Sequence, residues 1–203
     1  PIVASQTISN GLGWSATTQL TYTGGKFDAA EREFLGFAYA KVTDPVGATA
    51  ETWFHQDPHL KGRPYKQETK DESGNLYARS ENAWACTDLF PAAGVHFCHL
   101  AATTSTVFDG DATFRQTRAS FTYDSYGNVT RQIEEGDTAL TGDERTTTSE
   151  YITHEASWLM AHPSHVTVTD AAGNKIGESW ITYDGRGLPT KRQLLAIEGR
   201  AAE

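Results

Sequence analysis

Aspartate and glycine recur along this chain as an Asp-x-x-Gly pattern that appears five times. Carboxylate oxygens bind Ca²⁺, which makes Asp71, Asp124, Asp170 and Asp184 candidate ligands, but none of these segments has the density of oxygen ligands that a calcium loop needs. The alternative is a tight turn, in which the Asp side chain accepts backbone hydrogen bonds and the Gly takes a positive φ. We therefore predict five structural turns, at Asp44 and Gly47, Asp71 and Gly74, Asp124 and Gly127, Asp170 and Gly173, and Asp184 and Gly187.

Cysteine and histidine side chains that can bind zinc lie close together at Cys86, His96, Cys98 and His99. Their spacing is too tight for paired zinc ligands and no Cys-x-x-Cys occurs, so we predict no metal site. The two cysteines form either one disulfide or two buried thiols. The pairs His55/His59 and His162/His165 have a proline beside or between them, which argues against two ligands on one helical face and predicts loop positions.

Acidic side chains that can cleave sugars in pairs are scattered in sequence, at Glu31, Glu33, Asp57 and Glu68. Nothing in the sequence singles out two of them. The Gly-x-Ser-x-Gly motif of hydrolases is absent from the sequence. We predict no catalytic residue and no cofactor-binding residue, and hence a protein that is not an enzyme.

Aromatic side chains can stack on sugar rings, and several stand in strand-like segments. At strand spacing, such side chains more often stack across neighbouring strands and pack the sheet. We therefore favour packing over a carbohydrate platform for the set Trp14, Trp53, Trp84, Trp158, Trp180, Tyr22, Tyr65 and Tyr126.

The turns are flanked by segments in which apolar and polar residues alternate, and Phe121–Arg131 shows the pattern best. Phe121 and Tyr123 alternate with polar neighbours before the turn, Asn128 tolerates the left-handed region, and Val129 to Arg131 leads away. The pattern predicts an all-β fold, an antiparallel hairpin meander that forms a curved repeat sheet with few short helical turns. We expect one such helical turn near Trp158–Met160, and an irregular insertion over Cys86–Thr104.

Composition excludes several classes of function. The chain has 203 residues with a net charge of −9 and no run of Lys and Arg, so a nucleic-acid partner is not expected. No apolar run is long enough for a membrane span. Pro1–Ser5 lacks the basic start and apolar block of a signal peptide, and we expect the chain to be a piece of a longer polypeptide.

A series of motifs in a fixed order resembles one family. Asn10–Gly13, Thr17-Thr18, Leu20–Tyr22, Glu31–Phe37, Thr52–His55 and Leu60–Arg63, followed by a hairpin that ends near Trp84, resemble the middle region of the B subunit of insecticidal Tc toxins and of related Salmonella-virulence-plasmid-type proteins. Tyr123–Asn128 and Tyr183–Gly187 resemble the tyrosine–aspartate (RHS/YD) repeats that follow in that family. The resemblance covers Asn10 to Arg192.

The resemblance implies a function that the residues alone do not give. It implies that residues 1–105 are a Tc-toxin-B middle-region-like β segment and that residues 106–195 are RHS/YD-repeat-like hairpins. Residues 196–203 form a tail in which Ile197–Arg200 spells a protease site used in expression vectors, either vector-derived or by chance. The expected function is a non-catalytic structural segment of a secreted or cell-surface virulence protein, part of a β-shell that encloses and helps deliver a toxic cargo.

The expected partners are other segments of the same polypeptide, namely a β-propeller and the RHS shell, together with the encapsulated toxin. The autoproteolytic segment that ends the shell in the family, with its paired aspartates, has no counterpart in this sequence. The alternative is an extracellular glycan- or protein-binding β module, in which exposed tryptophans or open strand edges would bind the partner.

Overall fold

The computed structural model describes residues 2–110 and 113–195. The protein is 64% strand and 3% helix, which confirms the predicted all-β antiparallel fold. The tail at 196–203 lies outside the described residues.

The described residues form fifteen strands and two short 3-10 turns, Pro91–Ala93 and Glu155–Ser157. The strands are β1 (Ser5–Ser9), β2 (Ser15–Thr23), β3 (Phe27–Asp28), β4 (Glu33–Phe34), β5 (Tyr39–Thr43), β6 (Thr49–Phe54), β7 (Pro64–Lys70), β8 (Leu76–Phe90), β9 (Val95–Phe108), β10 (Phe114–Tyr123), β11 (Val129–Asp137), β12 (Arg145–His154), β13 (Leu159–Asp170), β14 (Lys175–Tyr183) and β15 (Pro189–Leu195).

The chain divides into two compact units, Pro1–Gln116 and Thr117–Glu203. In the first unit the sheet order is β1-β2-β5-β6-β7-β8-β9, and β3 and β4 form a separate pair. In the second unit β11, β12, β13, β14 and β15 follow one another in the same way, after the β10–β11 hairpin. Each strand therefore pairs with its neighbours in sequence, as short reversing connections require.

Cys86–Thr104 is not an irregular insertion, and that expectation is wrong. The segment continues β8 and β9 as one long hairpin, in which Cys86 lies opposite Cys98. Pro91 and Gly94 are turn residues, but they mark only the end of this hairpin, at the 3-10 turn Pro91–Ala93. We call residues 84–100 the first hairpin tip.

The helical turn expected at Trp158–Met160 is displaced. The 3-10 turn is Glu155–Ser157, and Trp158 ends it in the left-handed region at φ 53°. Pro163 does not stop a helix but lies inside β13, where the pairing with β12 shifts register beside Tyr151. A proline has no N–H to donate and fits a strand at such a bulge. We call residues 151–163 the second hairpin tip.

Few side chains are fully buried. Among the described residues, the buried apolar side chains are Leu35, Ala102 and Met160, and the buried polar ones are Glu68, Thr106 and Glu178. Most residues of β5, β6, β11 and β13 are half-buried, β2 alternates between exposed and half-buried residues, and β1 and β15 are exposed throughout. Cross-strand side-chain pairs must therefore supply much of the stabilisation that a thick apolar core supplies elsewhere. Within the described ranges, no helix has the length and apolarity to span a membrane.

Candidate functional site

The five Asp-x-x-Gly segments have one common geometry. In each, the glycine N–H donates to the aspartate carbonyl oxygen, at distances of 3.2 Å for Gly47, 3.0 Å for Gly74, 3.2 Å for Gly127, 3.0 Å for Gly173 and 3.0 Å for Gly187. All five glycines have positive φ, between 81° and 103°. The segments thus connect consecutive strands as tight turns.

The aspartate side chains accept hydrogen bonds from backbone N–H groups of their own turns. Oδ1 of Asp124 accepts hydrogen bonds from the backbone N–H of Tyr126 and of Asn128, both at 2.9 Å. The same oxygen of Asp184 accepts from Arg186 at 2.8 Å and from Leu188 at 2.9 Å. Across the part of the chain that the structure describes, no group of three or more His, Cys, Asp or Glu side chains is arranged to hold a metal ion.

Asparagine after the glycine has a role that its tolerance of the left-handed region does not predict. Asn75, Asn128 and Asn174 each donate a side-chain N–H to Oδ2 of the turn aspartate, at 2.9, 2.9 and 3.1 Å. Hydrogen bonds from Asn75 lower the pKa of Asp71, and those from Asn174 lower the pKa of Asp170. For Asp124 burial acts to raise the pKa, but the hydrogen bonds from Asn128 and the backbone outweigh it.

Replacing Asp124 by alanine should lower the free energy of unfolding by about 1–2 kcal/mol, because the N–H groups of the turn lose their acceptor. Asp124→Asn should recover part of this loss, since an amide oxygen can accept the two backbone hydrogen bonds but cannot also accept from Asn128. Urea unfolding of the three proteins measures the difference, and equal stability of Asp124→Ala and the wild type would contradict it.

The second hairpin tip contacts a turn on each side. Asn128 donates its side-chain N–H to the carbonyl oxygen of Met160 at 2.7 Å, and Tyr126 donates its hydroxyl to Glu155 at 3.3 Å. Tyr183 donates its hydroxyl to the carbonyl oxygen of Pro163 at 2.9 Å. The turn at Asp124 and the end of β14, just before the turn at Asp184, therefore both support this tip.

Gly187 lies so close to the tip that an added methyl group would force two side chains of the tip to shift. A Cβ there would lie 2.8 Å from Nε2 of His162 and 2.9 Å from Cδ2 of Leu159. Gly173 has nearly the same φ, 84° against 81°, with nothing within 4 Å of an added Cβ.

Gly173→Ala should therefore cost about 1–2 kcal/mol for the left-handed backbone alone, and Gly187→Ala roughly 1 kcal/mol more for overpacking. Thermal unfolding of the two variants measures the difference. Equal losses would mean that the turn does not press on the second hairpin tip.

Charged side chains on β6, β7 and β8 form a partly buried network in the first unit, which we call the ladder; its members are Glu51, Lys66, Glu68, Lys70 and Arg79. Glu68 on β7 is only 7% exposed, and its carboxylate accepts from Nε of Arg79 at 2.9 Å. Nζ of Lys66 and Nζ of Lys70 each lie 3.4 Å from it. Lys70 also pairs with Glu51 at 3.1 Å. Burial alone would raise the pKa of Glu68, but these three cations outweigh it and hold the pKa below its usual value.

The ladder continues beyond Glu68. Burial and a hydrogen bond to Glu51 raise the pKa of Tyr39 to about 12, so its hydroxyl stays protonated.

A separate charge network lies in the second unit, where Glu178 pairs with Nζ of Lys175 at 2.6 Å and with Nε2 of His165 at 2.8 Å. Those two contacts, that of Lys175 first, lower the pKa of Glu178. Such neutralised networks join neighbouring strands of the sheet.

The dispersed acidic residues have separate structural contacts. Glu33 pairs with Lys61, and Oδ1 of Asp57 accepts from the N–H of Leu60 at 2.9 Å. Glu68 belongs to the buried ladder, and Glu31 lies in the turn between β3 and β4. These contacts single out no catalytic pair among the four.

Cys86 and Cys98 form a disulfide across the first hairpin tip. This decides between the two alternatives that the sequence left open, and it removes both thiolates as zinc ligands. His162 and His165 lie in β13 rather than in a loop, because Pro163 is accommodated within the strand. His55 and His59 lie in the connection between β6 and β7, as expected.

The tryptophans fall into two groups. Trp53, Trp84 and Trp180 are half-buried, and each ring contacts a basic side chain: Lys66 Nζ lies 3.7 Å from the Trp53 ring centre, Arg63 Cζ lies 4.7 Å from that of Trp84, and the His165 ring stacks on Trp180 at 4.8 Å. Trp14 and Trp158 are 56% and 79% exposed. Of the tyrosines, Tyr22 packs on Phe37, and Tyr65 and Tyr126 are exposed.

Comparison with known proteins gives a family-model match over the first third of the chain and similar folds among solved structures. Residues 1–68 match the family model described as the insecticide toxin TcdB middle/N-terminal region. No curated protein matches the sequence. The crystal structure of TcdB2–TccC3–Cdc42 is similar over 89% of this chain, with a TM-score of 0.69 at 12% identity. The crystal structure of TcdB2–TccC3 is similar over 88%, with a TM-score of 0.68 at 13% identity.

A Tc holotoxin pore structure from Photorhabdus luminescens is similar over 89% of this chain, with a TM-score of 0.67 at 13% identity. This chain spans about 15% of the length of each of these three chains. At such identities the likeness to the solved structures establishes the fold. The resemblance to the middle region of the Tc toxin B subunit is therefore confirmed, by the family model over residues 1–68 and by the fold over most of the chain.

Proposed function

We propose that this chain is a non-catalytic structural segment of a secreted RHS/Tc-toxin-like protein, and that it forms part of a β-shell which encloses a toxic cargo and helps to deliver it. Residues 106–195 would contribute RHS/YD-type hairpins to that shell. The partners would be a β-propeller and further shell segments of the same polypeptide, together with the enclosed toxin.

The observation that carries the proposal is the fold match to the TcdB2–TccC3 structures over 89% of the chain, joined to the family match at residues 1–68. A segment that spans about 15% of such a chain acts as a part of a larger body. Its action would be steric, since a wall prevents contact between the cargo and the surroundings.

The construction of the sheet supports the same function. Hydrogen-bonded strands follow one another through short turns, and cross-strand contacts such as Glu68–Arg79 join them where apolar burial is sparse. The Asp-to-Gly turns would serve to reverse strands in this wall. The Cys86–Cys98 disulfide fits an oxidising environment, and thus a secreted or cell-surface protein.

Protease protection tests the proposal in the full polypeptide that carries this chain. The segment downstream of the shell should resist a protease in the intact protein and become cleavable in the Glu68→Ala variant, whose wall is weakened. Val46→Ala is the control, because Val46 is 74% exposed in a turn. A downstream segment that is cleaved equally fast in all three proteins would contradict enclosure.

The alternative function is a glycan- or protein-binding β module, and the exposure of Trp158 favours it. A glycan array probed with the chain and with Trp158→Ala separates the two functions. Binding that the substitution abolishes would support the module, and absence of binding would contradict a glycan-binding function.

A further inference from the structure

Two histidines that lie far apart in sequence meet at the first hairpin tip, close to the turn that ends it. The ring centres of His59, in the β6–β7 connection, and His96, on β9, are 4.0 Å apart, and the planes are tilted by 53°. His59 is exposed, and His96 retains 23% exposure of its side chain. Both imidazoles can therefore be reached from solvent.

His96 is held as metal-binding histidines are held. Asp88 lies directly opposite it on β8, and the carboxylate Oδ1 is 2.5 Å from Nδ1 of His96. A carboxylate on one ring nitrogen fixes the tautomer and orients the other nitrogen as the ligand, here Nε2. The Cys86–Cys98 disulfide closes the same hairpin two residues away, which limits movement of the strands that carry both groups.

The segment that carries His59 is also well held. Oδ1 of Asp57 accepts the N–H of His59 at 3.1 Å. At the ends of the segment, the N–H of His55 donates to the carbonyl oxygen of Arg63 at 3.0 Å, and the N–H of Gly62 donates to that of His55 at 3.1 Å. Arg63 in turn donates to the carbonyl oxygen of Cys98 at 2.9 Å and lies over the ring of Trp84. The loop is thus attached to the first hairpin tip through two residues of that tip.

From this geometry we infer that His59 and His96 form a two-histidine site for a divalent transition-metal ion of the Cu²⁺, Ni²⁺ or Zn²⁺ type. Imidazole suits these ions, and the pair supplies two ligands while water fills the remaining positions. Bond lengths of about 2.0–2.1 Å to a tetrahedral ion place two ring centres about 5 Å apart. The exposed His59 ring therefore moves outward by about 1 Å on binding.

The ion would connect two elements that the chain separates by more than a complete hairpin, namely the β6–β7 connection and the first hairpin tip. Because binding requires both elements in their folded arrangement, the metal would stabilise the folded state as its concentration rises above the dissociation constant. The site depends only on contacts within this chain, so the ion would bind whether or not the chain is part of a shell.

Isothermal titration calorimetry of the chain with NiCl₂, ZnCl₂ and CuCl₂ at neutral pH tests the inference, after removal of metal with EDTA. We expect one ion per chain, and at least a tenfold weaker affinity in His59→Ala and in His96→Ala. The double variant should be no weaker than either single variant, since one lost ligand already opens the site. Asp88→Asn should weaken binding by 10–100-fold while leaving both ligands present.

His154→Ala is the matched control, because His154 is exposed on the second unit, and it should bind the ion as the wild type does. Broadening of the His59 and His96 imidazole resonances, and of no other histidine, by substoichiometric Cu²⁺ identifies the ligands directly. Absence of binding, equal binding by His59→Ala, or broadening of a single histidine would overturn the inference.

Discussion

Replacing Glu68 by alanine should lower the free energy of unfolding of the first unit by about 3–5 kcal/mol, the usual cost of removing one partner from a buried charge network. Arg79 and the two lysines would remain as three cations on a half-buried surface, and the best-buried carboxylate of the ladder would be lost. Urea unfolding followed by tryptophan fluorescence reports on this unit when Trp158 and Trp180, the two tryptophans of the second unit, are replaced by phenylalanine in both proteins.

The second unit contains a matched control. Glu134 and Arg145 face each other across β11 and β12 just as Glu68 and Arg79 do across β7 and β8, with 2.7 Å between their charged atoms. Their side chains are 38% and 52% exposed. Glu134→Ala should therefore cost about 0–1 kcal/mol, as solvent-exposed ion pairs do. Equal losses for both variants would contradict a role for burial in the ladder.

Glu68 also makes the free energy of unfolding depend on pH. Because the folded state lowers the pKa of Glu68, its contribution to stability is fully present above the pKa of the unfolded chain and disappears as pH falls through the folded value. The unfolded value for glutamate is about 4.3. In Glu68→Gln, stability should therefore fall less steeply on acidification below about pH 4 than in the wild type. Parallel pH profiles for the two proteins would contradict this.

Removing the disulfide should have the second large effect. The bond closes a loop between residues 12 apart in sequence, and the loop-entropy relation gives about 3 kcal/mol for a loop of this size. Cys86→Ser combined with Cys98→Ser should lower the thermal midpoint by the amount that a reductant lowers that of the wild type. A reductant should then have no effect on the double variant. If the reductant lowers the midpoint of both proteins equally, the effect does not come from this bond.

The turns and strands were largely readable from the sequence, because the information is local. An Asp whose side chain binds the next backbone N–H groups, followed by a Gly with positive φ, needs no distant partner. The role of Asn128 cannot be predicted in this way, because part of it depends on a distant partner. Its amide reaches back to Asp124 and across to Met160, and the second contact depends on a strand far along the chain.

Other features depend on the register in which neighbouring strands pair, and this register cannot be derived from the sequence alone. The sequence around Cys86–Cys98 predicts an irregular segment, because Pro91 and Gly94 interrupt the alternation of apolar and polar residues at the end of the hairpin. The buried charges of Glu68 and Glu178 look like surface residues of a polar strand until three strands are aligned. The contact between His59 and His96 joins two hairpins, and no spacing rule for a single helix or hairpin could have found it.

We propose above that this chain is a structural segment of a β-shell and not a catalytic one. The structure of the full-length protein by electron cryomicroscopy tests this most directly. We expect the β5–β9 and β11–β15 strands to lie within a continuous shell, with density for an enclosed segment on one side of the sheet. A map in which these strands form a detached module, or surround a bound substrate at the Asp-to-Gly turns, would contradict it.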